Sequence, residues 1–261
     1  VTAIEHVPVS EKTVDIWYGN EGNLEAKQYG EFKYKHWIWR KSDHSTFHIP
    51  QEHFSVHFSL DNPDYFIAFN HDELQNYTTV YPMINAYLYE RKRDQYSNLG
   101  IIYPEVIASP NGKYFLYPNK EEIWTLVDLK DVNKKQLLKK GLRKPKFSND
   151  NQYVIFESDA GLWQYHISRD EMIEVQYGKE YQLKIETKRD KNLYPQSGYE
   201  FLTRNIDLTK PILVIANKKG SLEKVFLLWK NGKFEKELKA SDTTIKWAAL
   251  NKSKDFYFYT E

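Results

Sequence analysis

EVIASPNGKYFLYPNKEEIWTLVD, residues 105–128, is the stretch that decides the fold. An apolar run meets Ser109-Pro110-Asn111-Gly112, where proline presets φ and glycine supplies a positive φ, the chemistry of a tight turn. A second apolar run, Tyr114 to Tyr117, follows, and beyond a polar loop comes a third, Ile123 to Val127. Three β-branched or aromatic runs separated by turn residues predict an antiparallel meander.

The same phrase returns along the chain. Phe54 to Phe58 leads through Ser59-Leu60-Asp61-Asn62 into Tyr65 to Phe69. Pro145 to Phe147 leads through Ser148-Asn149-Asp150-Asn151 into Tyr153 to Phe156. Looser copies place Asp207-Leu208-Thr209-Lys210 before Ile212, and Asn251-Lys252-Ser253-Lys254 before Phe256. Aligned on the residue after the turn, Tyr65, Tyr114, Tyr153, Ile212 and Phe256 are spaced by 49, 39, 59 and 44 residues. A four-stranded unit returning every 40–50 residues is the period of a propeller blade. A β-sandwich would account for strands and turns, but not for a unit that keeps its internal order.

The chain is therefore expected to be all-β, a β-propeller of about five visible blades or part of a larger one. Blade-like units fall at about 46–100, 101–141, 142–178 and 197–240, with a closing or partial blade formed from 241–261 together with 1–30. Within that closing blade, Val14 to Tyr18 reads as a third strand. The long gap before Ile212 is expected to hold an insertion or extra hairpin at 181–195. Asn231-Gly232 predicts a type I′ hairpin. No long amphipathic helix is expected, although 72–77 and 131–138 have room for a helical turn or two.

Composition bounds the function. With 37 Lys and Arg against 36 Asp and Glu, the formal net charge is +1, so no global field recruits nucleic acid or an anionic membrane. Cysteine is absent, which excludes disulfides, thiolate zinc sites and cysteine nucleophiles. No apolar run reaches the roughly 18 residues that would span a bilayer. The start at Val1 has no signal-peptide pattern, and the chain is expected to be a piece of a longer protein.

Candidate chemistry is sparse. The Gly-x-Ser-x-Gly elbow of a serine hydrolase is absent, so no catalytic residue is assigned. Ser42-Asp43-His44 contains triad residue types, but triad members meet in space rather than consecutively. Ser221-Leu222-Glu223-Lys224 matches Ser-x-x-Lys but follows Gly220 into a strand and is expected to be a turn. Six histidines (His36, His44, His48, His53, His57 and His71) crowd into 36 residues. On a straight strand His53 and His57 would lie about 13 Å apart, too far for one metal at bonds near 2 Å. No metal site and no cofactor are expected, since phosphate-cradling glycine loops are missing too. Residues 31–40 alternate strongly, and Tyr34, Trp37 and Trp39 are either a stacking platform for sugar or peptide or packing between blades. These three, with His53 and His57, are the candidate binding residues. The string Glu90-Arg91-Lys92-Arg93-Asp94 is expected to be a solvated strand end.

Ser-Pro-Asn-Gly-Lys-Tyr (109–114) followed by Ile-Trp-Thr-Leu (123–126) resembles the propeller domains of the prolyl oligopeptidase and dipeptidyl-peptidase family. It is similar as well to TolB-type propellers. Val14 to Asn20 resembles a segment of such peptidases from Bacteroidetes-type bacteria. The resemblance implies a propeller that caps an α/β-hydrolase domain and filters access to it. It also implies a periplasmic, secreted or cell-envelope location in a Gram-negative bacterium. The catalytic triad would lie in that hydrolase domain, which is not among these residues, so no catalytic role carries over. The partner is then the hydrolase domain of the same longer chain, or a protein or peptide. The paired glutamates of the dipeptidyl-peptidase branch sit on a helix, whereas Glu121-Glu122 leads into a strand and receives no such role. The other reading is a stand-alone propeller that binds protein or glycan in the cell envelope.

Overall fold

In the computed structural model the described residues are 2–7, 31–40, 43–50, 52–70, 73–74, 82–186, 200–203, 205–238, 247–250 and 257–260. Among them there are strands and turns and no helix. The expected strand at Val14 to Tyr18 lies outside the described residues. The chain forms two compact units, Val1–Glu105 and Val106–Glu261.

In the first unit β1 (Thr2–Val7), β2 (Glu31–Trp39) and β3 (Thr46–Ile49) form an antiparallel sheet in the order β1-β2-β3. Residues 2–7 thus pair with 31–36. Next come β4 (Val56–Ser59), β5 (Tyr65–Phe69), β6 (Ile84–Glu90) and β7 (Gln95–Ile102), a four-stranded meander. Ile38 and Ile49 of the first sheet pack with Phe66, Ala68 and Tyr89 of the second.

The second unit holds β8 (Glu105–Ala108), β9 (Tyr114–Pro118), β10 (Trp124–Asp128) and β11 (Asn133–Leu137), again a meander. Residues 133–137 are strand, so the 131–138 segment has no helical turn. The next meander is β12 (Arg143–Ser148), β13 (Tyr153–Glu157), β14 (Leu162–His166) and β15 (Glu171–Val175). β16 (Tyr181–Ile185), β17 (Glu200–Thr203), β18 (Asn205–Ile206), β19 (Ile212–Lys218), β20 (Lys224–Lys230) and β21 (Lys233–Leu238) follow. β22 (Trp247–Leu250) and β23 (Tyr257–Thr260) end the chain as an antiparallel pair.

The third meander of this unit corrects the sequence reading. Its order is β16-β19-β20-β21, so Tyr181–Ile185, expected to be an insertion or extra hairpin outside the blade, is its first strand. Leu183 and Ile185 are buried while Lys184 is exposed, the alternation of a half-covered strand. Residues 200–203, expected to start this blade, instead lie beside β8 at the edge of the first meander. β18 pairs in parallel with β12 through Phe147–Asn205 and Ser148–Ile206. Apolar content alone does not separate 181–185 from 199–202, and long-range pairing chooses between them. Asn231 and Gly232 both take positive φ, 48° and 76°, as a type I′ hairpin requires.

The repeated phrase produces a repeated burial pattern. Tyr65, Tyr114 and Tyr153 are each half-buried and open a strand whose next four residues are buried. Such strands are covered on both faces, hence their continuous apolar runs. Val154 and Phe156 face Ile107, Leu116 and Trp124 of the preceding sheet, while Ile155 faces Leu183, Val214 and Leu227 of the following one. Each such side chain contributes about 1.5–3 kcal/mol on burial. The outer strands β11 and β15 are exposed or half-buried apart from Leu137. Four-stranded meanders stacked face to face, buried in the middle strands and exposed at the outer edge, define a β-propeller fold.

The turns repeat as well. Ser109 is fully buried; its Oγ accepts the Tyr114 N–H at 2.9 Å and donates to Asn111 Oδ1 at 2.8 Å. Ser148 Oγ accepts the Tyr153 N–H at 2.9 Å and donates to Asp150 Oδ1. Gly112 and Asn151 fill the same turn position with φ of 61° and 57°. The Ser59 turn carries one residue more before its tyrosine, and there Ser59 Oγ accepts the Asp61 N–H.

Candidate functional site

The candidate binding residues form two ring clusters in the first unit, around Trp37 with Trp39 and around Tyr96, and Trp37, Trp39 and His57 border one open cleft. On β2, Trp37 and Trp39 share a face by strand alternation, opposite Ile38. The Trp37 ring meets His48 edge-on at 5.3 Å, and Trp39, 48% exposed, lies 5.7 Å from His44. Tyr34 is on the same strand, and its side chain is outside the described residues. His53 precedes β4, so the straight-strand distance to His57 does not apply. Both rings approach Tyr96, His53 at 6.0 Å and His57 at 6.2 Å, and His57 Nε2 lies 3.3 Å from Tyr96 Oη. Phe54 and Tyr89 also pack on Tyr96. Burial, with Asp94 and Glu52 adding to it, pushes the Tyr96 hydroxyl up to about 12, so it stays protonated and able to donate at neutral pH. Among the described residues no three His, Asp or Glu side chains gather as metal ligands.

Of Ser42-Asp43-His44, Ser42 lies outside the described residues, and Asp43 and His44 fall between β2 and β3. Asp43 accepts the Ser45 N–H and hydroxyl and pairs with Arg40, a local turn anchor. Ser221 Oγ accepts the Glu223 N–H within a hairpin, as its turn reading expected. Glu121 and Glu122 also sit in a turn, organised by Asn119.

The charged string 90–94 is not simply solvated. Arg91 pairs with Asp64 at 2.5 Å, donates Nε–H to the Pro63 carbonyl at 3.1 Å, and its guanidinium lies 4.5 Å from the Phe47 ring centre. Lys92 adds a second cation to Asp64 at 2.7 Å. Burial alone would raise the Asp64 pKa, but the hydrogen bonds from Lys92 and Arg91 outweigh it and hold the carboxyl below its usual value. The sequence offers no local signal for this, because the partners are 27 residues apart.

Between the β2–β3 sheet and the Ser59–Asp64 turn runs an open cleft in two adjoining sections of about 410 and 250 Å³. The larger is lined by Ile38, Ile49 and Phe66, with His57, Ser59, Asp61 and Asn62 as its polar wall. The smaller is lined by Phe47, Arg40 and Arg91, and both sections share Ile38, Trp39 and Pro63. Arg40 also lies over Phe47, at 4.9 Å.

In the second unit Lys146 and Glu157, both nearly buried, approach within 3.5 Å beside a bulge in β12, with Lys144 at 3.4 Å from the same carboxylate. At the outer face Lys139 sits 3.4 Å above the Trp163 ring centre.

No protein-family model and no curated protein sequence matches the chain. Among solved structures it is similar to the acylaminoacyl peptidase of Pyrococcus horikoshii, with 13% identity and a TM-score of 0.43 over 72% of this chain and 32% of that one. An acylaminoacyl peptidase in complex with Z-Gly-Gly-Phe-chloromethyl ketone gives 13% identity and a TM-score of 0.41 over the same shares. A chain of the mitotic checkpoint complex gives 11% identity and a TM-score of 0.38 over 77% of this chain and 56% of that one. The chain thus spans about a third of the length of the peptidases. With TM-scores below 0.5, the fold assignment rests on the sheets, their burial and their turns.

Proposed function

We propose that this chain is the non-catalytic propeller part of a serine peptidase of the prolyl oligopeptidase type, selecting peptides for an α/β-hydrolase domain of the same longer protein. One observation supports it above the others: the Ser109–Tyr114 and Ser148–Tyr153 turns carry the same buried-serine hydrogen bond. That links the blade phrase resembling peptidase propellers to a piece of geometry repeated within this chain. A periplasmic, secreted or cell-envelope setting belongs to the same proposal. The test is the source reading frame together with a fluorophosphonate probe. The frame should continue into a Gly-x-Ser-x-Gly hydrolase whose serine the probe labels, while residues 1–261 alone stay unlabelled. A serine labelled within 1–261, or a frame without hydrolase, refutes it.

A second reading, a stand-alone protein- or glycan-binding module, is favoured by the exposed Trp39 beside His44. A reading frame that stops near Glu261 behind a lipoprotein signal would select it.

A further inference from the structure

The two-section cleft of the first unit is polarised along its length. β2 gives its direction: Trp37, Ile38 and Trp39 border the larger section, and Ile38, Trp39 and Arg40 the smaller. Only the larger section has the Asp61 carboxyl and the neutral polar groups of Ser59 and Asn62, and only the smaller has the guanidinium groups of Arg40 and Arg91. Between the ends the surface is apolar, from Ile38, Ile49 and Phe66 to Phe47. From residue 37 to residue 40 an extended strand rises about 10 Å, which is the length of about three residues of an extended peptide lying alongside it.

We propose that this cleft takes the carboxyl end of a short extended apolar peptide. The terminal carboxylate sits on Arg40 and Arg91, the apolar side chains on Ile38 and Phe66, and the upstream backbone N–H groups face Asp61. Guanidinium suits this role because its planar fork holds a carboxylate through two parallel hydrogen bonds. Phe47 keeps both guanidinium groups in place, with Arg91 at 4.5 Å and Arg40 at 4.9 Å from its ring centre. Arg91 uses Nε for Pro63 and one Nη for Asp64, and Arg40 one Nη for Asp43, so each fork is oriented by the protein before a ligand arrives. Burial raises the Asp61 carboxyl above its usual value, and a partly desolvated carboxylate gains more from an N–H donor than a hydrated one does. The proposal rests on the peptide-selecting reading above and adds which end of the peptide is recognised and by what.

The experiment is calorimetric titration of the 261-residue chain with the tripeptide Gly-Leu-Phe as free acid, as C-terminal amide and as N-acetyl acid. The acid and its N-acetyl form should both bind, and the amide at least about tenfold more weakly than the acid, since it loses the charge-assisted pair. Arg40→Gln should erase the acid-over-amide preference. Arg40 is exposed, so this variant avoids the risk of misfolding carried by Arg91→Gln, which also takes one of two cations from Asp64. Asp61→Asn should weaken all three ligands together. No binding at millimolar peptide, equal binding of acid and amide, loss on acetylation, or an unchanged preference in Arg40→Gln overturns the proposal. Because these measurements use only residues 1–261, a missing hydrolase domain would refute the peptidase reading while leaving their outcome intact.

Discussion

Removing the Ser109 hydroxyl should destabilise the second unit by about 2 kcal/mol, and the bonding around it shows why. Ser109 Oγ accepts N–H groups from Tyr114 at 2.9 Å and Lys113 at 3.2 Å. Lys113 N–H has a second acceptor, Asn111 Oδ1, at 3.0 Å, so Ser109→Ala leaves that donor served. The Tyr114 N–H loses its acceptor at a fully buried site, and one unmet buried donor costs about 1–3 kcal/mol. At about 2–4 °C per kcal/mol for a unit of this size, the melting temperature should fall by about 4–8 °C. Urea unfolding followed by tryptophan fluorescence, with calorimetry alongside, reads both quantities. Ser148→Ala should behave alike, because Ser148 Oγ serves Tyr153 in the same way. Ser221→Ala is the comparison: its hydroxyl also accepts a backbone N–H, from Glu223, but in an exposed hairpin, so the loss should stay within about 0.5 kcal/mol. If Ser109→Ala proves no more costly than Ser221→Ala, the buried serine is not what closes the blade turn.

Glu157→Ala should cost about 3 kcal/mol or more in the same denaturation assay, since Lys146 then keeps its burial without this carboxylate; replacing both by Met and Leu should cost clearly less. Asp64 has a folded pKa below its unfolded one, so its contribution is present above about pH 4 and lost as pH falls through the lowered value. The stability gap between the native chain and Asp64→Asn, measured by urea titration at several pH values, should therefore close on acidification; a gap that persists at pH 2 contradicts the ion cluster. Tyr96 should ionise near 12 in an ultraviolet titration of the folded chain, above the ordinary tyrosine near 10, and Tyr96→Phe should lower that late component by one tyrosine, since Tyr177, Tyr89 and Tyr165 also titrate late.

The serine-led turns, the tyrosine that opens each second strand and the four buried residues behind it were all legible in the sequence. Each depends on neighbours within about six positions: Gly112 or Asn151 for the positive φ, Ser109 or Ser148 for the acceptor, and an unbroken apolar run for a strand covered on both faces. Asn231-Gly232 belongs with them, because a type I′ turn asks for two residues that tolerate left-handed backbone and nothing more distant.

What only the tertiary structure decided is which elements meet. Residues 181–185 and 199–202 read equally well as strands, and the pairing of Tyr181–Ile185 with β19 was chosen by the packing of Leu183 and Ile185 against Val214 and Leu227. Arg91 looked like part of a solvated charge run until Asp64 and Phe47, distant in sequence, were found against it. His53 and His57 converge on Tyr96 rather than on each other. Turn chemistry is local and can be read along the chain, whereas a cleft or an ion pair depends on through-space distances that the blade stacking sets.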